Sequence, residues 1–175
     1  FELVGLRLAD VANIEVKSKD LKTVEFSRFT STLGASKARG QAEIRISKNP
    51  QIDVSVEILE GRLGDLVGVG GASLGWLDGK VAGMFTMTGD PAKPDGEVAL
   101  EFRDVDVLGE SFPAGSLSGW LDAGTMRVGQ LSLDRWNGEE GLLVRGSVAR
   151  DWTSNLAVTG TGFRLARLNA LERNK

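Results

Sequence analysis

The sequence predicts an all-β fold of half-buried antiparallel strands, in a fragment of a longer repetitive protein. Three observations carry that reading. Apolar and polar residues alternate with a period of two over most of the chain, turn-forming residues interrupt the alternation at short intervals, and short motifs recur along the length. Alternation gives each strand one apolar and one polar face, as in antiparallel sheets that bury a single side. Helical spacing is scarce before the last dozen residues, where Leu165, Leu168 and Leu171 fit a short C-terminal helix or a frayed end.

In chain order, Phe1-Glu2-Leu3-Val4 already reads as strand, as it would in a piece that begins mid-fold, and Ile14-Glu15-Val16-Lys17 follows. Residues 41–47 and 52–58 alternate without a fault on either side of the turn signal Lys48-Asn49-Pro50. Glu97-Val98-Ala99-Leu100-Glu101-Phe102, Leu131-Ser132-Leu133 and Leu156-Ala157-Val158-Thr159 continue the pattern. Further turns are expected at Asp90-Pro91 through Lys93-Pro94-Asp95-Gly96, at Phe112-Pro113-Ala114-Gly115 and at Asn137-Gly138. The last is a strong hairpin signal, because both residues accept positive φ. About ten or eleven strands result, joined mostly by short links. No linker divides the chain, and Gly68-Val69-Gly70-Gly71 comes nearest to a hinge. Glycine fills 23 of 175 positions with only four prolines, well above a usual share of about 7%. Tight turns and strand ends are its expected places.

Repetition is the most informative feature. Gly75-Trp76-Leu77-Asp78 recurs as Gly119-Trp120-Leu121-Asp122. A second pattern joins Gly5-Leu6-Arg7-Leu8, Gly61-Arg62-Leu63-Gly64-Asp65-Leu66 and Gly162-Phe163-Arg164-Leu165-Ala166-Arg167-Leu168, with Phe102-Arg103-Asp104-Val105 related to them. One supersecondary unit has been copied, and the copies are expected to stack by edge pairing within a single domain over 1–175. The degenerate units run roughly over 1–37, 38–78, 79–122 and 123–175.

Composition removes whole classes of chemistry. With no His, Cys or Tyr, thiol nucleophiles, cysteine metal sites, imidazole bases and Ser-His-Asp triads are all excluded. The absence of cysteine suits an oxidising envelope space. A net charge of −3 with scattered cations shows no basic stripe of the kind nucleic-acid binding requires. No apolar run reaches the roughly 20 residues of a membrane helix, and the first residues lack a signal-peptide pattern.

Each remaining candidate site has a plainer structural reading. Gly68-Val69-Gly70-Gly71 lacks the final glycine or Gly-Lys-Ser/Thr of a phosphate loop, Ser73 standing there instead. Asp104 with Asp106, or Asp90 with Asp95, lacks the calcium-loop spacing and reads as solvated surface. Among 24 acids, nothing singles out a glycosidase pair. Trp76, Trp120, Trp136 and Trp152 could stack on ligands; the shared repeat phase of Trp76 and Trp120 favours an architectural place at a wall or floor. Arg7, Arg62 and Arg164 recur as solvent-facing lips, with phospholipid headgroup contact the lesser reading. The apolar strand faces remain, either as an ordinary sandwich core or as an open groove.

The run Lys80-Val81-Ala82-Gly83-Met84-Phe85-Thr86-Met87-Thr88-Gly89-Asp90-Pro91, followed by Gly96-Glu97-Val98-Ala99-Leu100, is similar to TamB-type repeats. From about residue 38 to 171 the chain resembles the AsmA/TamB-like superfamily of Gram-negative envelope proteins. The resemblance implies an elongated, strongly curved antiparallel-type β-sheet folded into a β-taco, a repeating β-groove with an apolar interior. It further implies a periplasmic location, a parent anchored in the inner membrane, phospholipid acyl chains as cargo, and an outer-membrane barrel of the Omp85 type, TamA-like, as partner. No cofactor, metal, catalytic residue or nucleic-acid partner is expected.

The residues expected to line such a groove are Ile44, Ile46, Val54, Val56, Ile58, Phe85, Met87, Val98, Leu100, Phe102, Leu131 and Leu133. Each CH₂ sheltered there contributes ~0.8 kcal/mol, and because the attraction is non-directional a bound chain can slide. The leading expectation is a non-catalytic segment that shelters and conducts acyl chains between the two membranes. The alternatives are a scaffold that assists assembly of outer-membrane barrels through exposed strand edges, a carbohydrate-binding module dependent on Trp76 or Trp120, and last an enzyme.

Overall fold

Ten strands follow one another along the chain and pair in that same order, each antiparallel to the next, in the computed structural model. The structure describes residues 11–20, 22–33, 35–65, 77–107, 109–137, 140–149, 151 and 153–162. The strands are β1 (Val11–Asp20), β2 (Thr23–Leu33), β3 (Ser36–Arg45), β4 (Gln51–Arg62), β5 (Leu77–Asp90), β6 (Lys93–Val107), β7 (Glu110–Asp122), β8 (Thr125–Asp134), β9 (Glu140–Val148) and β10 (Ser154–Gly160). Among the described residues β1 and β10 are the two edges, and the sheet is not closed. The expected Phe1–Val4 strand, the glycine-rich hinge and the C-terminal helix lie outside the described residues, as do Arg7, Trp76, Trp152 and Arg164.

Period-two sequence makes these strands, and the registers add up across them. Ile58, Gly83, Leu100, Leu117, Leu131, Val144 and Val158 stand opposite one another from β4 to β10. Beside them run Gly40, Val56, Phe85, Val98, Gly119, Val128, Gly146 and Leu156. Directly opposed residues share a face of the sheet, so one face is apolar from strand to strand. The other carries rows such as Arg39, Glu57, Met84, Ala99, Ser118 and Gln130.

Every second strand from β2 to β8 carries an extra residue against its neighbour: near 27–28, at 59–60, at 104–105 and at 129–130. Such bulges bend a strand and raise its local twist, so these long strands are not straight. The β6 bulge also explains a mistaken turn. Phe112-Pro113-Ala114-Gly115 lies inside β7. Pro113 falls between the pairs Arg103–Ala114 and Val105–Phe112, across from bulged Asp104 with φ 51°. On the other side, β8 ends its pairing at Asp134 opposite Ala114. Proline's missing N–H therefore breaks no ladder bond. The turn expected from Asp90-Pro91 through Gly96 is present but confined to 91–92, and Lys93-Pro94-Asp95-Gly96 already opens β6.

The glycines correct the expectation most. Many stand mid-strand on the apolar face, including Gly40, Gly83, Gly96, Gly115, Gly119 and Gly146. Gly83 has φ +146°, and a Cβ there would collide with the Ala99 carbonyl oxygen of β6. Only glycine takes that conformation with so close a neighbour.

Burial is concentrated at one rim. Val81, Phe102, Val105, Phe112 and Leu133 form a buried cluster at the end where β6 and β8 finish, with Leu63, Leu77, Leu100, Val107, Leu117, Leu131 and Leu142 packed against it. Val105 and Phe112 are each 1% exposed. Arg135 lies over the Phe112 ring at 5.8 Å from its centroid and donates from Nε and Nη2 to the Thr161 carbonyl at 3.1 and 2.8 Å. This ties the end of β8 to the residue after β10. Elsewhere each strand packs on its immediate neighbours.

Candidate functional site: the apolar face

Eleven of the twelve residues expected to line a groove lie on one face by register, the exception being Ile46. Ile46 lies past the end of β3 and is 57% exposed. Ile44, Val54, Val56, Ile58, Phe85, Met87, Val98, Leu100 and Leu131 are half-buried, each sheltered by strand neighbours yet still reachable. Phe102 and Leu133, by contrast, are 5% and 4% exposed inside the rim cluster. They hold the sheet together and present no surface to a ligand. The same parity adds Phe29, Leu117, Val128, Val144, Leu156 and Val158 to the face. Their sequence signal was the same alternation, obscured by adjoining glycines and by the extra residue in β8.

The opposite face is charged and laced with exposed ion pairs. Arg39 meets Glu57 at 2.7 Å, Lys80 meets Asp104 at 2.7 Å, and Arg62 meets Asp78 at 3.1 Å. These pairs are roughly half exposed or more, and pairs of that kind add little stability. The hydrogen bond from Arg39 to Glu57 holds the guanidinium pKa above its ordinary value. The Gly79 N–H, and then Arg62, hold the Asp78 carboxyl below its ordinary value. The Thr153 N–H does the same for Asp151. Arg62, expected at a lip, is thus engaged by Asp78.

The acids weighed for calcium have structural employment. Asp90 accepts from the Ala92 N–H, Asp95 from the Ala123 N–H, and Asp106 from the Gly109 N–H and the Ser111 hydroxyl. Among the described residues no group of three or more acids or other ligating side chains gathers to hold a metal. No helix among them is long and apolar enough to cross a membrane.

The two described tryptophans, Trp120 and Trp136, stand away from the apolar rows. Trp120 is on the charged face, 47% exposed, with its ring against Gly129. Trp136 is 80% exposed in the β8–β9 turn. Leu77-Asp78 opens β5 whereas Leu121-Asp122 closes β7, so these two motif ends sit at opposite ends of strands running the same way.

Two shallow depressions of about 530 and 630 Å³ adjoin at Leu59, Ala82 and Glu101, lined largely by residues of the charged face such as Lys80, Arg103, Met84 and Ser118. Among the described residues the broadest chemical feature is the apolar face. No family model, curated protein or solved structure matches the chain.

Proposed function

We propose that this chain is a non-catalytic lipid-sheltering segment whose sheet is bent into an apolar groove, a β-taco, that acyl chains of phospholipids occupy and slide along. The observation that carries this reading is the continuity of the apolar rows from β2 to β10 with no second layer packed on them among the described residues. Eight strand spacings at about 4.8 Å give a path of about 38 Å across the strands. Bulges on every second strand supply the bend, and glycines in the rows keep the floor free of side chains. Sheltering contributes ~0.8 kcal/mol per CH₂ without a fixed docking point, so neither acid–base chemistry nor a cofactor enters.

The resemblance to AsmA/TamB-like proteins extends the proposal to a setting: a periplasmic segment of a parent anchored in the inner membrane, passing lipid towards an outer membrane whose Omp85-type barrel the parent contacts. A second reading, a scaffold for outer-membrane barrel assembly, draws on the bare β10 edge. Extraction and mass spectrometry of the chain purified from cells without detergent separate the two. A groove retains phospholipid in amounts comparable to protein, and lipid at background level removes the lipid reading.

A further inference from the structure

The two edges of the sheet are built differently. β1 pairs with β2 through three register shifts, and its sequence includes Glu15, Lys17 and Asp20. Bulges and charges of this kind blunt an edge against further pairing. β10 has neither. Its seven residues, Ser-Asn-Leu-Ala-Val-Thr-Gly, hold no charge and no proline, all are exposed, and they pair with β9 in unbroken register from Ser154–Val148 to Gly160–Leu142.

The hydrogen-bonding direction of β10 can be read from its ends. The Thr153 carbonyl accepts from the Ala149 N–H, and the Thr161 N–H donates to the Gly141 carbonyl, so odd-numbered residues bond inward to β9. Ser154, Leu156, Val158 and Gly160 therefore aim their N–H and C=O groups outward along the free edge, with no strand beyond them among the described residues. Leu156 and Val158, 42% and 62% exposed, also extend the apolar rows to the edge.

We infer that this edge is occupied by β10 of a second copy of the chain, antiparallel about a two-fold axis at Ala157. The sequence is self-complementary in that register. Leu156 faces Val158 of the other copy on the apolar side, Asn155 faces Thr159 on the polar side, and Ser154 faces Gly160. The outward-directed residues meet only one another, as an antiparallel ladder requires, and no like charges oppose. A two-fold pair closes on itself, whereas β10 against a neighbour's β1 would propagate without end. The blunted β1 edge disfavours that alternative. The joined sheet keeps both apolar faces on one side. This inference rests on edge geometry and stands or falls separately from the lipid reading.

The test uses the whole chain, which has no cysteine of its own. Ala157→Cys places two thiols across the axis in a non-hydrogen-bonded pair, about 4.5 Å between Cα atoms, within disulfide reach. Mild oxidation is expected to trap a covalent dimer, while Ser118→Cys, far from the edge, is not trapped. Light scattering of the unmodified chain is expected to give twice 18.7 kDa at tens of micromolar. Val158→Lys is expected to weaken association by about tenfold or more with the β-sheet circular-dichroism signal unchanged. A monomer at those concentrations, a ladder of trimers and larger species, or equal trapping of both cysteine variants would each overturn the inference.

Discussion

Replacing Phe112 by alanine is expected to cost about 3–5 kcal/mol of stability, the range for truncating a buried phenylalanine. That is a large part of the roughly 5–15 kcal/mol that holds an ordinary domain folded. Phe112 is 1% exposed and sits in the main buried cluster, against Val105 across the strand pair and beneath the Arg135 guanidinium. The strands around it, β5 to β9, lose their shared contact at once. Val98→Ala, half-buried on the open part of the same face, is expected to cost under about 2 kcal/mol. Urea unfolding followed by circular dichroism measures both. Equal costs would mean that the rim is no more a core than the rest of the apolar face.

The second large effect concerns occupancy. Val56 and Leu100 lie in adjacent apolar rows on β4 and β6, both half-buried. Placing arginine among acyl chains costs about 2.5–3.5 kcal/mol per residue on insertion scales. Each arginine is therefore expected to lower retained phospholipid on the order of a hundredfold, and the double variant Val56→Arg with Leu100→Arg on the order of ten-thousandfold if the two costs add, abolishing lipid movement by the parent. Thr88→Arg with Ser118→Arg, on the charged face, is expected to change neither. Lipid retained at the unmodified level by the first pair would remove the assignment of the apolar face.

The strands and their facing were legible because alternation is local: a residue two positions on returns to the same side. Parity alone put Val54 with Val56 and Ile58, and Phe85 with Met87, and the register then sets both groups on one face. What defeated the sequence reading was non-local. Pro113 and Pro94 looked like turn formers, and only the β6 bulge opposite Pro113 shows how a proline fits inside β7. Gly83 and Gly146 looked like punctuation, but each stands where a neighbouring carbonyl leaves no room for a Cβ. Phe102 and Leu100 have the same parity and similar hydrophobicity. One is sealed and the other half-open because Phe102 is a member of the rim cluster, which side chains from β5 to β9 assemble, whereas Leu100 only packs against its margin. Ile46 followed the alternation past the point where β3 ends.

The most direct measurement compares neighbouring positions on opposite faces. Benzoylphenylalanine introduced at Val98 or at Ala99 is irradiated with phospholipid vesicles, and adducts are weighed by mass spectrometry. Val98 lies in the apolar rows and Ala99 beside Met84 and Ser118 on the charged side. Lipid adducts at Val98 with none at Ala99 are the predicted result; adducts at neither, or equally at both, would contradict an apolar face that receives acyl chains.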